Sequence, residues 1–289
     1  MTNLFKTALT ITIISLFGAN ATFAVTTADI KEVTQITKQM CKLSNNNKID
    51  ELGDFYSANY ISFDGYGKDE ILNIYKISNE LYPNLKTKEK ITKIEAKDEL
   101  IKVYIDEKST TNVDVTGDDA MYAPTDKVKG EMKSTSKYSM TFQKEEDAWK
   151  VIKDEIYAEE TKIKYGEAIK AEFEMETPET IKEGEEYTVK TTLKMPTDRF
   201  VVGSIGHDKI IFPPQKYFDP YRSINESGIL ERVMIANKEG KNEYANSTFA
   251  FIAPSITIKK AKNKEVQKAA ITGMGIFIKR VNLERKEIL

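Results

Sequence analysis

From Thr26 onward the chain shows two kinds of hydrophobic pattern in succession. Thr26-Thr-Ala-Asp29 reads as a capping box, a hydroxyl and an acid three residues apart that satisfy free amides at a helix start. Ile30, Val33, Ile36, Met40 and Leu43 then recur at helical spacing, and Ser44-Asn-Asn-Asn47 closes the helix. Ile49, Leu52, Phe55 and Tyr56 predict a second, short helix, and Tyr60-Ile-Ser-Phe-Asp64 a brief strand stopped by Gly65-Tyr-Gly67. A third helix begins at Lys68 with Ile71, Ile74, Tyr75 and Tyr82 on one side, and Pro83 ends it.

The period then changes from helical to alternating. Ile91 to Ala96 and Leu100 to Glu107 predict two strands joined by Lys97-Asp-Glu99. Ser109 to Gly130 is polar and rich in turn formers, which predicts a long loop with at most a short strand around Val113. Tyr138, Met140 and Phe142 alternate, Lys144-Glu-Glu-Asp147 turns, and Trp149, Val151 and Lys153 alternate outward as a hairpin. The apolar pattern lapses between Glu159 and Gly166, and past Ala171 short alternations bounded by Pro and Gly take over, in Phe173, Val189, Val201, Val233, Ile252, Ile258 and Ile276 among others. About seven strands over roughly 120 residues predict a β-sandwich of immunoglobulin-like size. The expected division is therefore residues 1–24, 25–166 and 167–289.

The first of these segments carries its own pattern. Lys6 precedes an apolar run from Ala8 to Phe17, and small residues lead to Ala21 and Ala24. These are the parts of a cleavable secretion signal, and the run is too short for a permanent membrane helix of roughly 20 residues. Export to a periplasm or to the outside is thus expected, with cleavage after Ala21 or Ala24. No later segment is apolar enough to span a membrane. The formal net charge of −2 gives no large basic field, which disfavours nucleic acid as a partner. Lys259-Lys-Ala-Lys-Asn-Lys264 reads as a solvated basic turn, and Asn225-Glu-Ser227 and Asn246-Ser-Thr248 match the glycosylation pattern.

One cysteine, Cys41, rules out an intrachain disulfide, and on its helical face it reads as a core thiol. His207 is the only histidine, so a histidine-based triad or metal site has little to work with, and it reads as a turn residue. No cofactor is expected.

Two segments carry a more specific pattern, Phe55-Tyr-Ser-Ala-Asn-Tyr-Ile-Ser-Phe-Asp-Gly-Tyr-Gly-Lys-Asp-Glu-Ile71 and Tyr138-Ser-Met-Thr-Phe-Gln-Lys-Glu-Glu-Asp-Ala-Trp-Lys-Val-Ile152. They resemble the nuclear transport factor 2-like superfamily, including its SnoaL-like members. The resemblance covers roughly residues 27 to 160 and rests on degenerate motifs, so it speaks to a fold rather than a function. The expected class is α+β, a conical roll followed by an all-β immunoglobulin-like sandwich. Such a cone implies ligand-lining rings, here Tyr60, Phe63, Tyr75, Tyr138, Phe142 and Trp149, which equally well fill a core. Were it an enzyme, an isomerase or dehydratase like others of that family, Asp64 and Tyr138 are the candidate proton-transfer groups, although an Asp before Gly65-Tyr-Gly67 also suits a turn.

In the second half Phe212-Pro-Pro-Gln-Lys-Tyr-Phe-Asp-Pro-Tyr-Arg222 predicts a stiff loop. It offers Tyr217, Phe218 and Tyr221 for contact with a protein or glycan, or a lid over the sandwich. The sequence thus leads to an exported, non-catalytic protein that holds a small apolar molecule in its first domain and a partner through its second. An isomerase or dehydratase, and a purely structural or adhesive module, stay open. A homodimer is compatible with each.

Overall fold

The computed structural model describes residues 25–115, 128–194, 200–211, 220–261 and 264–284, and within these the side chains of all but 114–115 and 254–270. In chain order the elements are α1 (Thr27–Asn45), α2 (Ile49–Gly53), β1 (Tyr56–Ile61), α3 (Lys68–Leu81), β2 (Lys86–Lys97), β3 (Leu100–Val115), β4 (Val128–Glu145) and β5 (Ala148–Gly166). A 3-10 turn at Glu167–Lys170 leads into β6 (Phe173–Glu176), β7 (Thr180–Ile181), β8 (Glu186–Leu193), β9 (Phe200–Lys209), β10 (Arg222–Ser223), β11 (Ile229–Ile235), β12 (Glu243–Ala261) and β13 (Lys264–Leu283).

Local chemistry accounts for the helices and hairpins. The capping box forms at α1, where the Asp29 amide donates to the Thr26 hydroxyl and the Thr26 amide to the Asp29 carboxylate. Val33, Thr37, Met40 and Leu43 are the buried stripe that α1 lays on β2 and β3. The two-residue turns joining β2 to β3 and β4 to β5 place Asp98 and Glu146 in the left-handed region, at φ 54° each, as the twist of such hairpins demands.

The strands form one sheet in the order β10-β9-β12-β13-β5-β4-β3-β2, with β1 added beside β5 and β7 beside β13, and a separate sheet β11-β8-β6. This overturns the expectation of a conical roll followed by an independent sandwich. β5 continues to Gly166 and its last seven residues pair with β13, so the C-terminal strands extend the N-terminal sheet. The chain is predominantly strand.

Successive side chains alternate between faces, and the two faces are covered at opposite ends. Helices α1 to α3 cover one face over β2 to β5, around Val33, Leu52, Ile101, Ile105, Phe142 and Val151. The small sheet covers the other face over β9, β12 and β13, around Phe173, Val189, Leu193, Val201, Phe249 and Phe277. At the junction Gly166 has φ +57°, and a Cβ there would stand 2.3 Å from the Thr272 carbonyl oxygen, so only glycine lets β5 end against β13.

Several boundaries shift from expectation. Ser109 to Val115 and Val128 to Gly130 are strand, paired across β3 and β4, where a loop was expected. β12 runs unbroken as one element through the two separate strands predicted around Ile252 and Ile258. His207 lies in β9 rather than in a turn, half-buried, with Nδ1 3.1 Å from the Met234 sulfur. Residues 1–24, with the expected secretion signal, lie outside the described residues. No helix among the described residues is long and apolar enough to cross a membrane.

Candidate functional site

On the helix-covered face, β3 sends Ile101, Val103 and Ile105 into the core and then places Glu107 at the next inward position. Glu89 of β2 stands directly opposite it in register, so two carboxylates share one rung of the sheet. Like charges facing across strands are unfavourable, and natural sheets avoid them without a reason. Tyr138 of β4 donates its hydroxyl to Glu89 at 3.0 Å. Ser109 donates to Glu107 at 3.0 Å and shares a hydrogen bond with Thr87 at 2.7 Å. Tyr75 of α3 hydrogen-bonds with the buried Tyr56, and both rings lie near the carboxylates.

Burial foremost, and then the charge of Glu107, push Glu89 up to about 7, against the opposing donors Tyr138 and Cys41. Burial likewise raises Glu107, with the charge of Glu159 adding to it. Glu89 keeps some accessible surface although protein surrounds it closely. A carboxyl half-protonated at neutral pH can both take and give a proton there. Tyr138 stays protonated, raised by burial and by the two carboxylates, so it serves as a hydrogen-bond donor.

The same rung continues across the sheet. Glu107 faces Ser136, Ser136 faces Glu159, and one rung past Lys279 and Glu160 stands Arg280, itself opposite Tyr244. Tyr244 donates to Glu159 at 2.9 Å. Arg280 is 2% exposed and pairs with Asp64, while its Nε donates to Asn282. Its Nη1 lies 3.8 Å from Glu159, too far for a hydrogen bond, and is a buried donor without a partner. Leaving such a donor unsatisfied costs about 1–3 kcal/mol, more for a charged group. The side chain of Ser136, half-buried between Glu107 and Glu159, makes no hydrogen bond among the described residues.

α3 packs against α2 and β1 on the same side of the sheet. Its Ile71, Leu72 and Tyr75 face the core around β2 to β5, and Tyr82 just beyond it meets a smaller cluster at Val113, Met132 and Ile163. Yet no residue of α3 is fully buried.

Of the residues expected from the sequence, Tyr75 and Tyr138 meet in this site. Tyr60 is buried with its hydroxyl donating to Asp154 at 2.5 Å, and burial together with that carboxylate raises it strongly. Phe63 packs on the Arg280 guanidinium at 5.5 Å. Asp64 is committed to Arg280 and to Asn242, which donates at 2.8 Å, rather than presented to the aromatic wall. Phe142 and Trp149 are filled core, the indole donating to Asp29 at 3.2 Å. Tyr221 is 36% exposed, and Tyr217 and Phe218 lie outside the described residues. Cys41 is raised to about 11, chiefly by burial, so its thiol is poorly ionised.

Sequence reading missed Glu89 and Glu107. Among the described residues no group of His, Cys, Asp and Glu has the arrangement of a metal site.

No protein-family model matches the chain, and no curated protein matches it. Solved structures overlap part of it. Bd1075 of Bdellovibrio bacteriovorus is 13% identical with a TM-score of 0.35 over 46% of this chain and 42% of that one, so the chain spans less than half of that protein's length. Aln2 from a Streptomyces species is 11% identical at a TM-score of 0.35, over 46% of this chain and 92% of its own. A member of the nuclear transport factor 2-like family from Streptomyces avermitilis is 12% identical at 0.33, over 45% and 95%. The structural neighbours thus include nuclear transport factor 2-like proteins, each similar over less than half of this chain.

Proposed function

We propose that the chain binds a small, largely apolar molecule over the Glu89–Tyr138 corner and that Glu89 moves a proton on it. The observation that carries this reading is a partly accessible carboxylate pushed to about 7 by burial and by Glu107, within hydrogen-bond reach of Tyr138 and walled by Tyr56 and Tyr75. Perturbed carboxyls of this kind concentrate at functional sites. The reaction classes open to such a base are proton abstraction beside a carbonyl and its return elsewhere, that is, isomerisation or dehydration. Export through a cleaved N-terminal segment belongs to the same proposal, on the strength of the residue pattern before Ala24.

A second reading, retention of a ligand without turnover, is favoured by one feature. Tyr138 already spends its hydroxyl proton on Glu89, and Tyr75 shares its own with Tyr56, leaving few donors for a developing oxyanion. Deuterium exchange into a panel of enolisable ketones, followed by proton NMR, separates the two. Proton transfer predicts exchange above the buffer rate that Glu89→Gln abolishes. Exchange at the buffer rate across the panel, or exchange untouched by Glu89→Gln, rejects it.

A further inference from the structure

We infer that the chain pairs with a second copy of itself through β11, edge to edge and antiparallel, with the twofold axis at Met234. This border lies on the opposite side of the large sheet from Glu89 and has no part in the small-molecule reading. β11 is one border of the small sheet, and its Leu230 and Met234 are buried in the core it shares with β9. The alternate positions Ile229, Glu231, Val233 and Ile235 therefore face outward. Val233 is 60% exposed and Ile235 56%. The other ends of the two sheets are built differently. β2 puts Lys86, Lys88 and Lys90 outward, β6 puts Glu174 and Glu176, and β10 is two residues long. Charge and shortness keep such borders from pairing, and β11 has neither over Val233 to Ile235.

The backbone sets the register. The Gly228 carbonyl accepts from Leu193 and the Ala236 amide donates to Glu185, so the even-numbered residues of β11 bond to β8 and the odd-numbered ones point to the open border. At the start of the strand those groups are occupied: Ile229 donates to the Ser227 hydroxyl, and the Glu231 carbonyl accepts from Arg222. Past its end the Asn237 amide donates to Glu243. Val233 and Ile235 remain, each with an N–H and a C=O that meet no partner among the described residues. Pairing about Met234 sets Val233 opposite Ile235 of the second copy, and Ile235 opposite its Val233. The four residues exchange N–H···O bonds that use these open groups and no others, and their side chains meet on one face as two apolar cross-strand pairs. No acid faces an acid, since Glu231 lies across from Asn237, and Thr188 and Glu186 of β8 flank the apolar patch. An axis at Arg232 or at Val233 instead sets Glu231 against an aliphatic side chain and directs the second copy at the carbonyl that Arg222 already occupies. A foreign peptide would have to be ordered first, whereas the strand of a second copy is already held extended by β8. One strand from each copy makes a small, isologous interface, below about 1,200 Å² and in the class of weak, reversible contacts.

The test is sedimentation velocity of residues 25–289 from about 1 to about 500 µM, where wild type is expected to show a reversible monomer–dimer equilibrium. Val233→Lys and Ile235→Lys, both at exposed positions, are expected to stay monomeric. Circular dichroism checks their folding, and either carries the test if the other misfolds. Ile229→Lys, outside the paired window, should associate within about twofold of wild type. Disulfide cross-linking in a Cys41→Ser background reads the register, because directly opposed residues lie about 5.5 Å apart and diagonal ones about 7–8 Å. An equal mixture of Val233→Cys and Ile235→Cys proteins should cross-link about tenfold faster than either alone. Wild type monomeric at the highest concentration, dimers that persist in Val233→Lys and Ile235→Lys, dissociation by Ile229→Lys as complete as by Val233→Lys, or Val233→Cys alone cross-linking as fast as the mixture each overturn the inference.

Discussion

Replacing Glu89 by Gln should stabilise the folded protein, and the pH dependence of the effect reports the site directly. In the fold this carboxyl titrates at about 7 against an ordinary 4.5. Below 4.5 it is protonated whether the chain is folded or not, and it contributes no difference. Between 4.5 and about 7 the folded state holds the proton more tightly than the unfolded state does, so stability falls as pH rises. At 1.36 kcal/mol per pH unit the loss is about 3 kcal/mol once the pH passes 7. Gln keeps an oxygen for Tyr138 and carries no charge, so the variant escapes this loss. Urea unfolding of wild type and variant at pH 4.5, 6 and 8 measures it. The two should be similar at pH 4.5, and the variant should be more stable by about 2–3 kcal/mol at pH 8. A constant difference across that range, or a variant less stable at pH 8, refutes the assignment of a raised carboxyl to this position.

Other perturbations test the rest of the architecture. Arg280→Met leaves Asp64 and Glu159 buried without their cation and should cost about 3–5 kcal/mol at pH 7, less at pH 4 where Glu159, raised by burial, takes up a proton, as read by thermal unfolding. Gly203→Ala places a methyl 2.8 Å from Ile224, 3.1 Å from Leu230 and 3.2 Å from Phe249, between β9 and the small sheet, and should cost about 1–3 kcal/mol in urea. An unchanged midpoint for that variant would show that the small sheet does not pack there.

How much of this was legible beforehand depended on how local the signal was. α1 and its cap, the β2–β3 and β4–β5 turns and the inward aromatics follow from patterns within a dozen residues. The joining of β5 to β13 does not, because its partners are over a hundred residues apart and the polar Glu159 and Thr161 interrupt the inward register that Ile163 and Tyr165 resume. Hydrophobic contrast, which marks a strand in sequence, is lowest where the site lies. The same holds for Glu89 and Glu107. Lys86, Lys88 and Lys90 occupy the outward positions of β2, so Glu89 falls in the register reserved for Thr87 and Ile91, and Glu107 follows Val103 and Ile105 in the inward register of β3. A carboxylate in an inward register is the signal that the sequence carries for them. Asp64 stands in the sequence as a lone acid after a strand, and its partner Arg280 is supplied from more than two hundred residues away.

The most direct test is a carbon-13 NMR titration of the side-chain carboxyls in glutamate-labelled protein. One resonance should titrate near 7, vanish in Glu89→Gln and move to higher pH in Tyr138→Phe, which loses the hydroxyl that favours the ionised form. If every glutamate resonance titrates below 5.5, or the one near 7 persists in Glu89→Gln, Glu89 is an ordinary surface acid and the site is elsewhere.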